Sequence, residues 1–200
     1  MKLKIVKFKS VKSTNDEAIK LIKSNKCFLG LVSTNSQIKG RGTMGKKWIS
    51  YRGNIFISVF FKVDLIKLKI KNYLIINAKI IKKILNEYTR KTIKIKKPND
   101  LLIDGKKICG ILQEVIDHKK EQYLITGIGI NTKISPTNKD FKCTSLKINS
   151  NKNINNKIII EKIIKNFGIT STVFLSCSIL ILFFLYPSIL NNIVNILSIN

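Results

Sequence analysis

The stretch from Ile93 to Asn131, IKIKKPNDLLIDGKKICGILQEVIDHKKEQYLITGIGIN, decides the fold. Ile93 and Ile95 alternate with lysines, the period-two pattern of a half-buried strand, and the chain then runs into Lys96-Lys97-Pro98-Asn99-Asp100. Leu101 to Ile103 and Ile108 to Ile116 flank Asp104-Gly105, a pair that tolerates positive φ at both positions and so closes a tight hairpin. Tyr123 to Ile130 forms a further strand, which ends in Gly127-x-Gly129-x-Asn131. Turns this short join antiparallel neighbours, because a parallel pair needs a crossover of a dozen or more residues. A purely parallel, doubly wound sheet is therefore excluded.

Working outward, Leu3 to Phe8 alternates apolar and basic residues and reads as a short strand. Ser13-Thr14-Asn15-Asp16-Glu17 opens a helix through about Ser24: either hydroxyl serves as N-cap, with Asp16 or Glu17 three residues on to close a capping box. Phe28 to Ser33 is a second apolar strand, followed by a polar, Gly-rich loop from Asn35 to Gly53. Asn54 to Val63 is strongly apolar and β-prone, which predicts a central strand. Leu74, Ala78, Ile81, Leu85 and Tyr88 recur at three to four residues, predicting an amphipathic helix over Asn72 to Arg90 packed on the sheet. Asn149 to Asn156 is a polar linker, and Lys157 to Phe167 returns to helical register with Gly168 as the expected stop. The expected fold is α+β, a mixed and largely antiparallel central sheet with flanking helices.

Two hundred residues suffice for one domain with a real core, and an apolar fraction of 44% argues against disorder. The formal net charge is +26, almost all from Lys, since Arg occurs only at 41, 52 and 90. A surface that reads nucleic acid more often mixes in arginine, whose guanidinium fork pairs bidentately with phosphates and base edges. The excess of Lys, Ile and Asn is explained by compositional bias with a solvated lysine face. The field still attracts ATP, acidic proteins or nucleic acid at low salt. Cys27, Cys109, Cys143 and Cys177 have no Cys-x-x-Cys spacing and His118 is the lone histidine, so no Cys/His metal site is expected. Cys109, inside an apolar strand, reads as a small buried hydrophobe, and His118 as an exposed residue beside a turn. Met1 to Ser10 precedes no apolar core of signal-peptide length, and a cytoplasmic location is expected.

Gly40-Arg41-Gly42 with Gly45 is a weak signal alone, since glycines in a basic loop also make ordinary turns. Its backbone amides beside Arg41, Lys46 and Lys47 nonetheless suit a triphosphate or an acyl phosphate. Lys96 follows a strand and precedes Pro98, whose fixed φ sets the exit of the chain and biases Lys97 toward extended geometry. In so lysine-rich a chain a solvated Lys96 is the ordinary alternative.

Taken together, these segments resemble the catalytic domain of biotin protein ligases. Ser13-Thr14-Asn15 is similar to the family's Ser-Thr-Asn element, and Gln37 to Trp48, QIKGRGTMGKKW, to its Gln-x-x-Gly-Arg-Gly-x-x-Gly-Arg-x-Trp loop. Ile95 to Asp100 resembles the Lys-Trp-Pro-Asn-Asp motif, Lys107 to Glu114 the Lys-x-x-Gly-Ile-Leu-x-Glu strand, and Gly127 to Asn131 the Gly-x-Gly-x-Asn segment. The resemblance covers roughly residues 5 to 165 and implies a fold like that of class II aminoacyl-tRNA synthetases. It further implies an enzyme that forms biotinyl-5′-AMP from biotin and ATP with Mg²⁺, then modifies a lysine of a biotin carboxyl carrier domain of acetyl-CoA carboxylase or a related carboxylase. A homodimer is a further expectation; specific DNA binding is not.

Carried over residue by residue, the resemblance assigns Ser13, Thr14, Asn15 and Gln37 to the biotin pocket. Arg41, in the loop with Gly40, Gly42, Thr43, Lys46 and Trp48, would meet the biotin carboxylate and the α-phosphate. Lys96 would be the central electrostatic group, with Gly110 beside the substrate. Lys107, Gly129 and Asn131 would serve the nucleotide, and Mg²⁺ would be held by the phosphates rather than by protein ligands. Because the biotin carboxylate is itself the nucleophile, the chemistry asks for neutralising cations rather than a Ser or Cys nucleophile. Trp48 has two readings, a core anchor or a cover for bound adenylate. Asn99 and Asp100 either cap the turn after Pro98 or touch substrate.

The loop departs from the family at Thr43 and Lys46, where arginines are usual, and at Lys97, where Trp is usual; reduced activity is the expected consequence. No helix-turn-helix precedes Ser13, so transcriptional repression is not expected. The catalytic domain is assigned to residues 1–168, and residues 169–200 form an uncharged, hydrophobic tail where the family has an SH3-like domain. That tail has three readings: a membrane anchor over 169–190, a buried hydrophobic hairpin, or the out-of-frame end of a gene. A lipoate or octanoate transfer enzyme of the same fold is the nearest alternative function, and a noncatalytic basic protein binding nucleic acid or an anionic membrane is the alternative of a different class.

Overall fold

The computed structural model describes residues 3–65, 69–137 and 141–174. Seven strands form one sheet: β1 (Lys4–Phe8), β2 (Gly30–Thr34), β3 (Ile55–Val63), β4 (Ile93–Lys96), β5 (Asp100–Ile103), β6 (Lys106–His118) and β7 (Glu121–Ile130). Their spatial order is β1-β2-β3-β7-β6-β5-β4. Only β1 and β2 run parallel; every other neighbouring pair is antiparallel. The fold is the expected α+β class, and β3 lies inside the sheet between β2 and β7.

The sheet separates two layers. On one face α2 (Ile70–Asn86) lies against β4, β5 and β6, and α4 (Asn156–Phe174) against β3 and α2. Ile55, Ile57, Val59 and Phe61 of β3 project into this layer with Ile76, Ile80, Ile84, Ile159 and Ile163 of the helices. On the other face α1 (Thr14–Lys23) crosses β2, β3, β7 and β6, and Ala18 and Ile22 pack on Phe60 and Ile125. Full burial of one Ile or Phe stabilises by about 1.5–3 kcal/mol relative to exposure, so the larger first cluster carries most of the hydrophobic stabilisation. A short helix, α3 (Leu146–Asn149), leads to α4.

Three local expectations are corrected. Ser13 is the N-cap residue of α1, yet neither hydroxyl forms a side-chain cap. The capping box fails because its acids are engaged elsewhere, Asp16 with Arg41 and Glu17 with Lys20, while the Thr14 N–H donates to Gln37 Oε1 at 2.9 Å. Helix α4 also continues through Gly168 to Phe174. One interior glycine costs about 1 kcal/mol relative to alanine, too little to end a helix that tertiary packing supports. His118 is half-buried, with Nε2 2.9 Å from Asn25 Oδ1 and its ring beside Phe28.

No helix among the described residues is long and apolar enough to cross a membrane. From residue 175 onward the tail lies outside the described residues, and its three readings stand as they were.

Candidate active site

Strand register brings the sequence motifs to one place on the α1 face. Lys96 pairs with Asp100, Asp100 with Gly110, Gly110 with Gly129 and Gly129 with Phe56, making one row across five strands. The next row on this face holds Leu112, Gly127 and Ser58. Small residues at the middle of both rows leave a narrow cleft, with about 40 Å³ of room for water-sized molecules, which α1 and the loop from Gln37 to Trp48 wall in. Ser13, Thr14, Asn15, Gln37, Arg41, Gly42, Thr43, Trp48, Lys107, Gly110 and Gly129 all line it.

Trp48 explains two of the glycines. A Cβ at Gly129 would lie 2.4 Å from its ring, and one at Gly110 2.6 Å from it. The indole is thus seated on bare strand backbone. The loop that carries it is a narrow hairpin, with Gly42 N–H donating to Lys46 O at 2.6 Å and Trp48 N–H to Gly40 O at 2.9 Å. Its tip turns through Met44 and Gly45, at φ 56° and 72°. Lys107 Nζ stands 5.3 Å from the Trp48 ring centre and 5.1 Å from that of Phe141, while pairing with Asp100 Oδ1 at 2.7 Å.

At the other end of the cleft lies an uncharged polar network. Gln37 Oε1 accepts from the Thr14 N–H and from its hydroxyl, at 2.9 and 3.1 Å. The Ser58 hydroxyl lies 2.7 Å from Thr14 Oγ1 and 2.5 Å from Asn15 Oδ1. Gly127 makes room for Asn15, since a Cβ there would meet Asn15 Oδ1 at 2.4 Å. Ser13, Thr14, Asn15 and Ser58 are all buried, so the network is fixed before any ligand arrives.

Acidic side chains hold the cationic ones. Arg41 Nη2 donates to Asp16 Oδ1 at 2.7 Å and to Glu114 Oε2 at 2.9 Å, and the same Glu114 oxygen accepts from Asn15 Nδ2 at 2.6 Å. Beyond Trp48 lies a small crevice lined by Asn131, Phe141 and Cys143 among others. Asn131 Oδ1 and Trp48 Nε1 are buried without a hydrogen-bond partner among the described residues. Burial pushes the Cys109 thiol well above its usual value, and the Cys143 thiol is also raised by burial, with Lys107 opposing. Neither is a ready thiolate nucleophile.

The expected site residues are not all equally central. Lys96 is exposed at the end of the edge strand β4 and outside the cleft lining, though it shares the row of Asp100 and Gly110. Neighbouring strands lie about 4.8 Å apart, so the glycines of that row, two and three strands away, sit about 10 and 14 Å from its backbone. Gly40 and the exposed Lys46 belong to the loop hairpin rather than to the lining. Asn99 donates from Nδ2 to Ile111 O at 2.9 Å and also lines the cleft, and Asp100 holds Lys107. Glu114, Asp16 and Ser58 went unassigned in the sequence. Glu114 had a signal, since strand alternation sets it on the face of Gly110 and Leu112.

A cleft with buried polar groups, ion-paired cations and glycine-floored strands under a tryptophan marks an α+β domain with a candidate ligand site. The family model described as "Biotin/lipoate A/B protein ligase family" matches residues 7–131, and the chain belongs to that family. It is 33% identical over 126 residues to the bifunctional ligase/repressor BirA of Bacillus subtilis strain 168, covering 62% of this chain and 39% of that protein. BirA of Bacillus spizizenii is 31% identical over 165 residues, covering 78% and 50% respectively. The chain thus spans about two-fifths to half of the length of these curated relatives. Among solved structures, biotin protein ligase from Aquifex aeolicus in complex with biotin and ATP superposes with a TM-score of 0.70 at 26% identity, covering 86% of this chain and 71% of that one. A bipartite lipoate protein ligase from Thermoplasma acidophilum shares the fold, with a TM-score of 0.54 at 10% identity, over 85% of this chain and 84% of its own.

Proposed function

We propose that this chain is the catalytic domain of a biotin protein ligase. It joins the biotin carboxylate to the α-phosphorus of ATP, giving biotinyl-5′-AMP and pyrophosphate. It then transfers the biotinyl group to a lysine amine of a biotin carboxyl carrier domain, releasing AMP. The observation that carries this reading is the lining of the cleft: uncharged hydrogen-bonding groups at Ser13, Thr14 and Gln37, the cation Arg41 joined to them through Glu114 and Asn15, and the cation Lys107 beside Trp48. Biotin has the matching form, with a ureido ring at one end and a carboxylate at the other. Buried hydrogen bonds of this kind discriminate strongly, because a ligand without the ring leaves them unpaired.

The chemistry asks the protein for charge and alignment. In the first step the carboxylate oxygen attacks the α-phosphorus and the pyrophosphate oxygen leaves, so two anions meet. Arg41 and Lys107 offset that repulsion, and Lys96 adds its charge from the sheet edge. The Gly42 amide is spent on Lys46 O within the hairpin, so in this reading the Thr43 amide and the Lys46 side chain would meet the phosphates. Trp48, Gly110, Gly129 and Asn131 serve the nucleotide side: the unpartnered Asn131 Oδ1 accepts and the unpartnered Trp48 Nε1 donates, which suits a heteroaromatic base. No group of three His, Cys, Asp or Glu side chains among the described residues can hold a metal, and the cleft carboxylates are paired to Arg41 and Lys107. Magnesium would come with ATP and neutralise phosphate charge there. In the second step the lysine amine attacks the acyl carbonyl, and the AMP oxygen leaves with the electron pair of the mixed anhydride.

Pyrophosphate exchange into ATP, measured separately with biotin and with lipoate, tests the first step. Exchange with biotin is expected; exchange with lipoate alone would overturn the assignment. Intact mass of a carrier domain incubated with the chain, biotin and MgATP tests the second.

A further inference from the structure

Arg41, the cation assigned to the ligand carboxylate, is already paired with two protein carboxylates, one on α1 and one on β6. The two partners differ in what else holds them. Glu114 is anchored within the site: its Oε2 also accepts from Asn15 Nδ2, and Asn15 reaches Ser58 through its other end. Asp16 has the more exposed side chain, at 36% against 27%, and sits in the first turn of α1. A carboxylate there is stabilised by the helix dipole even without an ion partner. Asp16 therefore releases a guanidinium at small cost, whereas Glu114 does not.

We propose that Asp16 and Glu114 are positioning residues of the cleft. Asp16 stands in for the carboxylate of the ligand and yields Arg41 when a carboxylic-acid ligand binds, while Glu114 keeps Arg41 and Asn15 aligned throughout. No covalent bond changes; one ion pair is exchanged for another. The apparent affinity for the acid then includes the loss of the Asp16 pair, whereas a neutral analogue leaves that pair intact. The inference rests on the reading above that Arg41 meets the biotin carboxylate.

Calorimetric titration of the full chain with biotin and with its neutral carboxamide tests it. Asp16→Asn is expected to tighten biotin about two- to five-fold, the share of one part-exposed ion pair, and to leave the carboxamide unchanged. Glu17→Gln removes the same charge one residue on, from a carboxylate 2.7 Å from Lys20, and is expected to leave both ligands unchanged. Glu114→Gln should weaken both, because Arg41 and Asn15 lose a charged acceptor. Biotin affinity unaltered or weakened in Asp16→Asn, equal tightening of the carboxamide, or equal tightening in Glu17→Gln overturns the proposal. Wild-type chain that binds neither ligand overturns the biotin reading itself, and the proposal with it.

Discussion

Ser58 and Val59 are neighbours in β3, both fully buried, yet they serve opposite sides of one sheet. Val59 joins Ile57, Phe61 and the isoleucines of α2 and α4 in a continuous apolar layer. Ser58 shares its face with Gly110, Gly127, Gly129 and Glu114, where volume has been removed and polar groups inserted. The α2 and α4 face thus supplies the stability that the α1 face gives up to form a cleft. Alternation along β3, β6 and β7 makes this separation possible, because each strand presents one set of residues to each side.

The largest effect expected lies on the apolar face. Ile57 is 1% exposed within the main cluster, so Ile57→Ala should cost about 2–5 kcal/mol of unfolding free energy by lost burial and an unfilled cavity. Ligand affinity of the folded fraction should be unchanged. Denaturant titration beside calorimetry separates the two, and a large loss of affinity per folded molecule would break the division between faces. Gly129→Val is the converse. Its side chain would enter space that Trp48 occupies, 2.4 Å from the ideal Cβ, and drive the ring off the strand. Adenylate formation should fall by roughly 100-fold, equivalent to about 2.7 kcal/mol, while the midpoint of thermal unfolding moves little. A variant that loses stability rather than activity would show Trp48 to be a core anchor.

How much of this was readable in advance follows from the range of the interactions. The Asp104-Gly105 hairpin was legible because its cause is local: both residues adopt positive φ, at 48° and 73°. The strand and helix faces were legible from periodicity, and the assembly of Ser13, Gln37, Arg41, Lys107 and Gly110 from the resemblance. The cap of α1 was not, because the acceptor for the Thr14 N–H comes from Gln37, 23 residues away. The partners of Ser58, Asp16 and Glu114 were hidden for the same reason, although alternation sets Glu114 on the cleft face. Glu114 meets Asn15 across 99 positions and Arg41 across 73, and no local pattern records such a partner. Lys96 is the reverse case: its motif is legible in sequence, while its side chain lies exposed at the sheet edge.

A third substitution tests whether the polar groups of the cleft face are specific. Ser58→Ala removes a buried hydroxyl 2.7 Å from Thr14 Oγ1 and 2.5 Å from Asn15 Oδ1, leaving whichever of the two oxygens takes its single proton without a donor. A loss of about 1–2 kcal/mol in biotin binding, roughly 5- to 30-fold, is expected by calorimetry, because the groups proposed to read the ring lose their alignment. Unaltered affinity would mean that the network is structural only.

The smallest effect is expected where the apolar face breaks its own rule. Thr126 of β7 pairs with Val59, one position from the Ser58 and Gly127 pair, and is equally buried. Its Oγ1 accepts from Asn77 Nδ2 of α2 at 3.2 Å and from Gln113 Nε2 at 3.5 Å, both long contacts. Replacing both ends of a buried hydrogen bond with apolar groups of similar shape is nearly neutral, whereas removing one end strands the other. The double substitution Asn77→Leu with Thr126→Val replaces both ends of the 3.2 Å bond and gives up only the 3.5 Å contact of half-buried Gln113, so it should cost about 1 kcal/mol of stability and leave biotin affinity untouched. Leu also favours the helix more than Asn, which offsets part of the loss. Two buried hydroxyls in adjacent registers would then differ in their effect on ligand by an order of magnitude, solely because one lies above the sheet and the other below. A comparable loss of biotin affinity in the double variant would instead couple α2 to the cleft through β7, and the two faces could no longer be treated as separate.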